Sequence, residues 1–321
     1  MKKSVISGSY VRLGYQKGGQ SKEIFQNLHF DLLPGQLTCL LGPNGVGKTT
    51  LVKAILGKLP LWDGKLVLQD REISNYSQAE LSRQLAVVLT EPVLAGNMTV
   101  GQLVSLGRTP YLGWSGYLSV KDKQIVNQAM ELTHLIELKD ERLSELSDGQ
   151  RQKAMIARAL AQDAPIMILD EPTAHLDLVN RFEIMQLLHG LSRTQDKSIL
   201  VITHDLDIAL ETADYLWLLR KGQSLIAGLT EDLILRGKVN ELFPSSSIRF
   251  NSDRGKMELD RPEVKVEVNG DESQVSWLLN AMKKSGINAA TSPIFLEKEP
   301  FCIRYEEFEF QSIQEFLAYL Y

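Results

Sequence analysis

No apolar run in this sequence approaches the roughly 18 residues that a membrane-spanning helix requires, so a bilayer span is not expected. Cysteine is scarce: among 321 residues there are only Cys39 and Cys302. Cys39 falls in a short apolar run and Cys302 in an alternating one. Both read as small apolar residues in a reducing compartment rather than as a disulfide. Positive charge is not in excess either. The 35 Lys+Arg against 40 Asp+Glu leave a net charge of −5, which argues against a general nucleic-acid binder. The opening Met1-Lys2-Lys3-Ser4-Val5-Ile6-Ser7-Gly8 has two lysines but no apolar stretch behind them, so it is not expected to be a secretory signal. Internal repeats and low-complexity tracts are absent. What is present is a 44% hydrophobic composition, enough for a sizeable core, and a length suited to two domains or to one large domain with an appendage.

Residues 1 to about 243 alternate strand-like and helix-like segments, which predicts an α/β domain. Ile166-Met167-Ile168-Leu169-Asp170 and Ser198-Ile199-Leu200-Val201-Ile202-Thr203 are short, β-branched-rich runs suited to the centre of a parallel sheet. Between about 91 and 163 the pattern turns mostly helical. There Ser119 with Asp122 reads as an N-cap, and Ile125, Ala129 and Leu132 fall on one face at helical spacing. A break at Phe243-Pro244-Ser245-Ser246-Ser247 has linker composition. Beyond it, residues 248–321 read as a small accessory α+β domain: an alternating strand at Val264 to Val268, a helix at Val275 to Lys284, strands at Ile294 to Leu296 and Phe301 to Phe310, and a last helix from Ile313 to Tyr321. This tail holds 9 Lys+Arg and 13 Asp+Glu, so −4 of the net charge lies in it.

The most informative segment is Gly42-Pro43-Asn44-Gly45-Val46-Gly47-Lys48-Thr49. Its pattern, G-x-x-x-x-G-K-T, predicts a site for a nucleoside triphosphate. Glycines let successive N–H groups turn inward around phosphates where a Cβ would block the approach. Lys48 has the length to reach the β- and γ-phosphates, and the Thr49 hydroxyl can ligate magnesium. The flanks suit this: Gln36-Leu37-Thr38-Cys39-Leu40-Leu41 reads as a buried strand, and Thr50 to Lys58 as a helix aimed at the phosphates. Asp170 ends an apolar strand and Glu171 follows it. With a phosphate loop upstream, Asp170 is expected to hold magnesium and Glu171 to polarise the attacking water. Leu146-Ser147-Asp148-Gly149-Gln150 has capping-box spacing between Ser147 and Gln150, so a helix is predicted from here to about Gln162, with an anion site at its start.

In this order the motifs resemble those of the ATP-binding subunits of ABC transporters. The resemblance covers residues 4 to about 243. It takes 42 to 49 as the Walker A loop, with Thr50 the next ATP-binding position, and 166 to 171 as the Walker B strand. Ser147, Asp148, Gly149 and Gln150 become the signature, Ala174-His175-Leu176-Asp177 the D-loop with Asp177, and His204 the switch histidine. Tyr15, in Leu13-Gly14-Tyr15, matches the aromatic that stacks on adenine. The resemblance implies an ABC-type phosphate-loop fold with a mainly parallel sheet and a helical subdomain at about 91–163. It implies ATP and Mg2+ as cofactors, with Glu171, His204 and Lys48 catalytic and with Thr49 and Asp170 on the metal. It further implies a head-to-tail homodimer in which each signature faces the ATP of the other copy. That dimer would sit with a transmembrane permease dimer on the cytoplasmic face of a bacterial inner membrane, served indirectly by a periplasmic binding protein.

Leu106-Gly107-Arg108-Thr109-Pro110-Tyr111, followed by Gly113-Trp114, and His175 in the D-loop are similar to importers of iron-siderophore, haem or cobalamin. Two positions depart from the family. Asp148 replaces the second glycine of the common signature. At the Q-loop, after Leu85-Ala86-Val87-Val88-Leu89, Thr90 stands where glutamine is usual, followed by Glu91-Pro92. The rival readings are a soluble ABC ATPase acting on ribosomes or DNA and an exporter subunit. The single uninterrupted cassette and the acidic tail weigh against the first, and the Leu106 to Tyr111 segment against the second. The cargo is not legible, because such subunits contact the permease and not the substrate.

Overall fold

The structure, a computed structural model, describes residues 3–18, 20–89, 97–114, 116–243, 247–252, 255–259 and 264–320. The chain divides into two compact units, Met1–Pro244 with Ser252–Lys256, and Ser245–Asn251 with Met257–Tyr321.

The first unit opens with two long antiparallel strands, β1 (Ile6–Lys17) and β2 (Gln20–Leu32). Next comes β3 (Leu37–Leu41), all five residues of which are buried. It leads into α1 (Lys48–Ile55), and then β4 (Asp63–Leu68) and β5 (Arg71–Glu72) complete a four-stranded sheet ordered β2-β1-β4-β5. The sequence reading does not anticipate this sheet. Register shifts between Gly8 and Gly14 break the two-residue period by which such strands are recognised.

The second sheet carries the chemistry. Its members are β3, β6 (Leu85–Val88), β7 (Ile166–Asp170), β8 (Ser198–Ile202), β9 (Tyr215–Leu218) and β10 (Ile226–Leu229), in the order β10-β9-β3-β8-β7-β6. All neighbours are parallel except β9 and β10. A strand buried on both faces needs apolar side chains on both, which is why β3, β7 and β8 read as continuous apolar runs. Parallel order also brings the ends of β3, β7 and β8 to one edge, where ligands bind in open sheets of this kind. The core joins both sheets, from Ile6, Leu13 and Phe30 to Leu40, Ile168, Leu200 and Trp217.

Four helices come between the early strands and β7: α2 (Gln78–Gln84), α3 (Val100–Ser105), α4 (Val120–Leu132) and α5 (Asp148–Ala161). Each begins with a reciprocal capping box, Ser77 with Glu80, Thr99 with Gln102, Ser119 with Asp122 and Ser147 with Gln150. The last three helices form the helical layer. Its internal tie is Arg108, 4% exposed, whose Nε donates to Asp122 Oδ1 at 2.8 Å and whose Nη1 donates to the Ala161 carbonyl at 2.9 Å. The guanidinium also lies 4.0 Å from the centre of the Tyr111 ring. The tie takes part of the inward face of α4. The buried residues are Asp122, Val126, Ala129 and Met130, while Ile125 and Leu132 are only half-buried at the flanks. Gly107 is required for packing, since a Cβ there would lie 2.2 Å from the Arg158 carbonyl of α5. The remaining helices of this unit are α6 (Leu178–Thr194), α7 (Leu206–Thr212) and α8 (Thr230–Leu235). Among the described residues no helix is long and apolar enough to cross a membrane.

Past the first unit, β11 (Ile248–Asn251) and β12 (Lys256–Leu259) form a two-stranded ribbon. A four-stranded sheet follows in the order β13 (Val268–Asn269), β14 (Ile294–Lys298), β15 (Phe301–Tyr305) and β16 (Phe308–Phe310). It is joined by α9 (Glu272–Lys284) and α10 (Ile313–Leu320). Leu278, Met282, Ile294, Ile303, Tyr305 and Phe316 make its separate core. The strand expected over Val264 to Val268 is shorter than predicted. Only Val268–Asn269 pairs as a strand, with one isolated bridge from Lys265 to Ala289.

Candidate nucleotide site

Gly42 to Gly47 connect β3 to α1, and α1 differs from the four helices after it. Its N-cap is Gly47, at φ 116°, with no side-chain cap and no acidic residue in the first turn. A helix start left without a cap presents free N–H groups and the positive end of its dipole. Gly47 cannot carry a side chain here: a Cβ would lie 2.5 Å from the Phe25 ring and 2.6 Å from Ile24. Gly45, at φ +75°, has nothing within 4 Å of its Cβ position, so its backbone faces open space. Lys48 Nζ donates to the Gly42 carbonyl at 2.6 Å and to the Pro43 carbonyl at 3.4 Å. The lysine therefore curls over the loop and holds its shape. Val46 is buried in the core, so it anchors the loop from below.

Two carboxylates meet this loop from β7. Asp170 ends the strand and Glu171 follows at φ 50°, a left-handed backbone that is uncommon for a residue with a side chain. The Glu171 N–H bonds the Ile202 carbonyl of β8 at 2.8 Å and its carbonyl accepts from Ala174 N at 3.1 Å. Both bonds fix the turn that aims its side chain. Burial raises the Asp170 pKa and Glu171 adds to it, with Lys48 opposing. Burial lowers the Lys48 pKa, with Glu171 and Asp170 opposing. From β8, His204 reaches the same point: its Nδ1 lies 2.9 Å from Glu171 Oε2.

Tyr15 of β1 stands at the far side. Its hydroxyl is 3.2 Å from Thr50 Oγ1. Tyr15, Lys22, Ile24, Asn44, Gly45, Gly47, Lys48, Thr49, Thr50, Asp170 and Glu171 line one cleft of ≈ 460 Å³. A glycine cradle, an uncapped helix start and a lysine suit a phosphate chain. The Thr49 hydroxyl and the Asp170 carboxylate are hard oxygen donors of the kind Mg2+ takes. Among the described residues no group of three His, Cys, Asp or Glu side chains is placed to hold a metal. A larger concavity of ≈ 630 Å³ lies over α6 and β10, around His189 and Asp214. Asp214 there already accepts the Leu37 N–H and pairs with Arg193, so it has a structural duty and is remote from the phosphate loop.

The signature residues Ser147, Asp148, Gly149 and Gln150 and the D-loop Asp177 do not line this cleft. They lie together elsewhere in the same unit. Asp177 caps α6 by accepting from Asn180 N at 2.8 Å, and Asn180 Nδ2 donates to its other oxygen at 2.9 Å. A Cβ on Gly149 would lie 2.4 Å from Asn180 Oδ1. The start of α5 carries the capping box that its spacing predicts. Ser147 and Gln150 satisfy each other's N–H groups, and the N–H groups of Asp148 and Gly149 are left ahead of the helical ladder. Arg181 Nη1 bonds Asp205 Oδ2 at 3.1 Å, which ties α6 to the residue after His204. Thr90, the Q-loop position, lies outside the described residues.

Sequence reasoning misses Lys22, Ile24 and the contact between His204 and Glu171. The signal for Lys22 is the hairpin register, Tyr15↔Lys22, which sets the two on one face; bulges in β1 hide that register from the sequence.

The family model described as "ABC transporter" matches residues 25–174. The achromobactin transport ATP-binding protein of Dickeya dadantii is 35% identical over 240 residues, which cover 75% of this chain and 88% of that protein. The iron(3+)-hydroxamate import ATP-binding protein of Bacillus subtilis is 33% identical over 238 residues, 74% of this chain and 87% of that one. Among solved structures, cbiO1 of Clostridium perfringens, part of the ABC transporter complex cbiONQ, superposes with a TM-score of 0.66 at 27% identity. The match covers 76% of this chain and 97% of that one. With relatives at this identity and over this length, the chain belongs to the ATP-binding subunits of ABC transporters, the ATPases that power transport.

Proposed function

We propose that the chain is the Mg2+-dependent ATPase of a bacterial importer for iron-siderophore complexes or a related metal chelate. The observation that carries this reading is the convergence of an uncapped α1, Lys48 and Thr49 with Asp170 and Glu171, the latter bonded to His204. In this reading the loop from Gly42 to Thr49, with Thr50, holds the phosphates, and Tyr15 stacks on the base. Thr49 and Asp170 hold Mg2+, which when bound supplies charge neutralisation for the phosphate oxygens. Glu171 accepts a proton from the attacking water, and Lys48 and His204 stabilise charge on the γ-phosphate.

The remaining parts follow from the same reading. Two copies meet head to tail, so that Ser147, Asp148, Gly149, Gln150 and Asp177 face the nucleotide held by the other copy. This puts to use residues that do not line their own cleft. A permease dimer supplies the pore, with the chain peripheral on the cytoplasmic face of the inner membrane and a periplasmic binding protein delivering cargo. The chelate class is supported by what the two relatives above are named for and by the segment from Leu106 to Trp114. The second unit is an accessory domain outside the ATPase machinery. The test is reconstitution with a candidate partner permease in liposomes containing ATP. Uptake of a ferric siderophore, haem or cobalamin supports the reading, and ATP turnover without uptake of any of the three removes the cargo assignment.

A further inference from the structure

The signature of this chain carries a charge pair. Asp148 is the first residue of α5 and stands 67% exposed in its side chain. Arg151, one turn on, places Nη1 2.9 Å from Asp148 Oδ1. Its other nitrogens are occupied as well: Nη2 donates to the Leu146 carbonyl at 3.0 Å and Nε to the Leu143 carbonyl at 3.4 Å. The guanidinium is thus fixed at three points across the entrance to the helix. A carboxylate in a first turn is favoured by the helix dipole.

This matters because of the head-to-tail reading above, on which the inference rests. If the start of α5 meets the phosphates held by a second copy, a free carboxylate at 148 opposes them. Like charges brought together across an interface cost several kcal/mol. The backbone N–H groups of Asp148 and Gly149, which the capping box leaves ahead of the ladder, belong to the same first turn as that carboxylate. A bound guanidinium makes the turn neutral and holds the carboxylate to one side. We propose that Arg151 is a positioning residue for the closed dimer. It neutralises and restrains Asp148, so the two residues act as one unit and the signature accepts a polyanionic nucleotide despite its acidic residue.

The proposal separates from a purely structural role for Arg151. If the arginine only braces the Leu143 and Leu146 carbonyls, its loss is equally harmful whatever stands at 148. If it serves to quench Asp148, its loss is harmless once Asp148 is gone. The experiment uses the full chain carrying Glu171→Gln to halt turnover, with MgATP titrated against dimer formation by analytical ultracentrifugation. Arg151→Ala is expected to raise the ATP concentration for half-maximal dimer about tenfold. Arg151→Lys, which keeps the charge, should stay within about threefold, and Asp148→Gly added to Arg151→Ala should restore the midpoint to about threefold of the parent. Thermal melting and monomer affinity for MgATP, measured beside it, should match among the variants. An unchanged midpoint in Arg151→Ala, or a failure of Asp148→Gly to restore it in folded protein, overturns the proposal. If the Glu171→Gln parent itself forms no ATP-dependent dimer, the head-to-tail reading falls, and the pair loses its role with it.

Discussion

His204 Nδ1 and Glu171 Oε2 are 2.9 Å apart, although they leave different strands and are separated by 33 residues of sequence. The side chains are unequally placed: that of Glu171 is 19% exposed and that of His204 66%. A half-sheltered carboxylate is thus steered by an imidazole at the surface. Removing the carboxylate charge without its shape should stop chemistry and spare binding. Glu171→Gln is expected to lower turnover by at least about 100-fold while MgATP affinity stays within a few-fold. His204→Ala should slow turnover less, because the carboxylate survives but loses its restraint. Steady-state ATPase rates beside nucleotide titrations decide both, and wild-type turnover in Glu171→Gln would remove it from the chemistry.

Lys48→Ala should fail at the earlier step. The lysine braces the loop through Gly42 and Pro43 and is the buried cation of the cleft. Loss of both functions should weaken MgATP binding by about tenfold or more as well as turnover. Calorimetric titration showing normal affinity contradicts the phosphate-loop assignment.

Lys22 offers a graded comparison. It shares the cleft wall with Tyr15 but stands on the exposed rim. Lys22→Met should weaken ATP and ADP about equally, by a few-fold, with turnover at saturating ATP unchanged. A loss confined to turnover shows that the residue acts elsewhere.

Asp170 carries a stability cost that its role explains. Burial and Glu171 both disfavour its charged form, so its pKa is raised. An acid whose folded pKa lies above its unfolded value binds more protons when folded. Its contribution therefore favours folding at low pH and declines as pH rises through that range. At neutral pH, Asp170→Asn should raise the nucleotide-free melting temperature and abolish Mg2+-dependent turnover together. A lower melting temperature in the variant contradicts this balance.

Arg108 is expected to hold the helical layer rather than to touch substrate. Arg108→Ala removes the donor to Asp122 Oδ1 and to the Ala161 carbonyl and should lower the unfolding midpoint by on the order of 10 °C. The carboxyl of Asp122 is held down to about 2 by the Ser119 hydroxyl and then by Arg108. A depressed acid stabilises the fold above its ordinary value of about 4 and loses that contribution as pH falls toward the folded value. Acid sensitivity in that window should shrink in the variant. An unshifted midpoint rules the tie unimportant.

Much of the site was legible because backbone geometry demands particular residues there. Gly47 is read from sequence as a loop glycine, and the structure adds the reason: Phe25 and Ile24 leave no room for a Cβ. The buried strands β3, β7 and β8 were legible as unbroken apolar runs. The antiparallel sheet was not, because bulges in β1 scramble the alternation. The inward face of α4 was read only in part because a buried ion pair, Arg108 with Asp122, stands on it. A pattern search counts that face as polar. The Glu171–His204 contact depends on the left-handed backbone of Glu171 after β7 and on the loop after the neighbouring β8, and no local spacing encodes it.

The missing Cβ of Gly149 ties together two motifs, since Gly149 and the D-loop Asp177 stand 28 residues apart in sequence. Alanine there would gain about 1 kcal/mol of helix propensity, yet it would press on Asn180, which is pinned to Asp177 by its own hydrogen bonds. Relief would come from turning the Asn180 amide aside, which gives up its bond to Asp177 Oδ2 and loosens the cap of α6. Side-chain size at 149 and the hold on the D-loop aspartate are therefore linked. Exchange of one motif alone from a distant relative should graft poorly, whereas the two exchanged as a set should be tolerated.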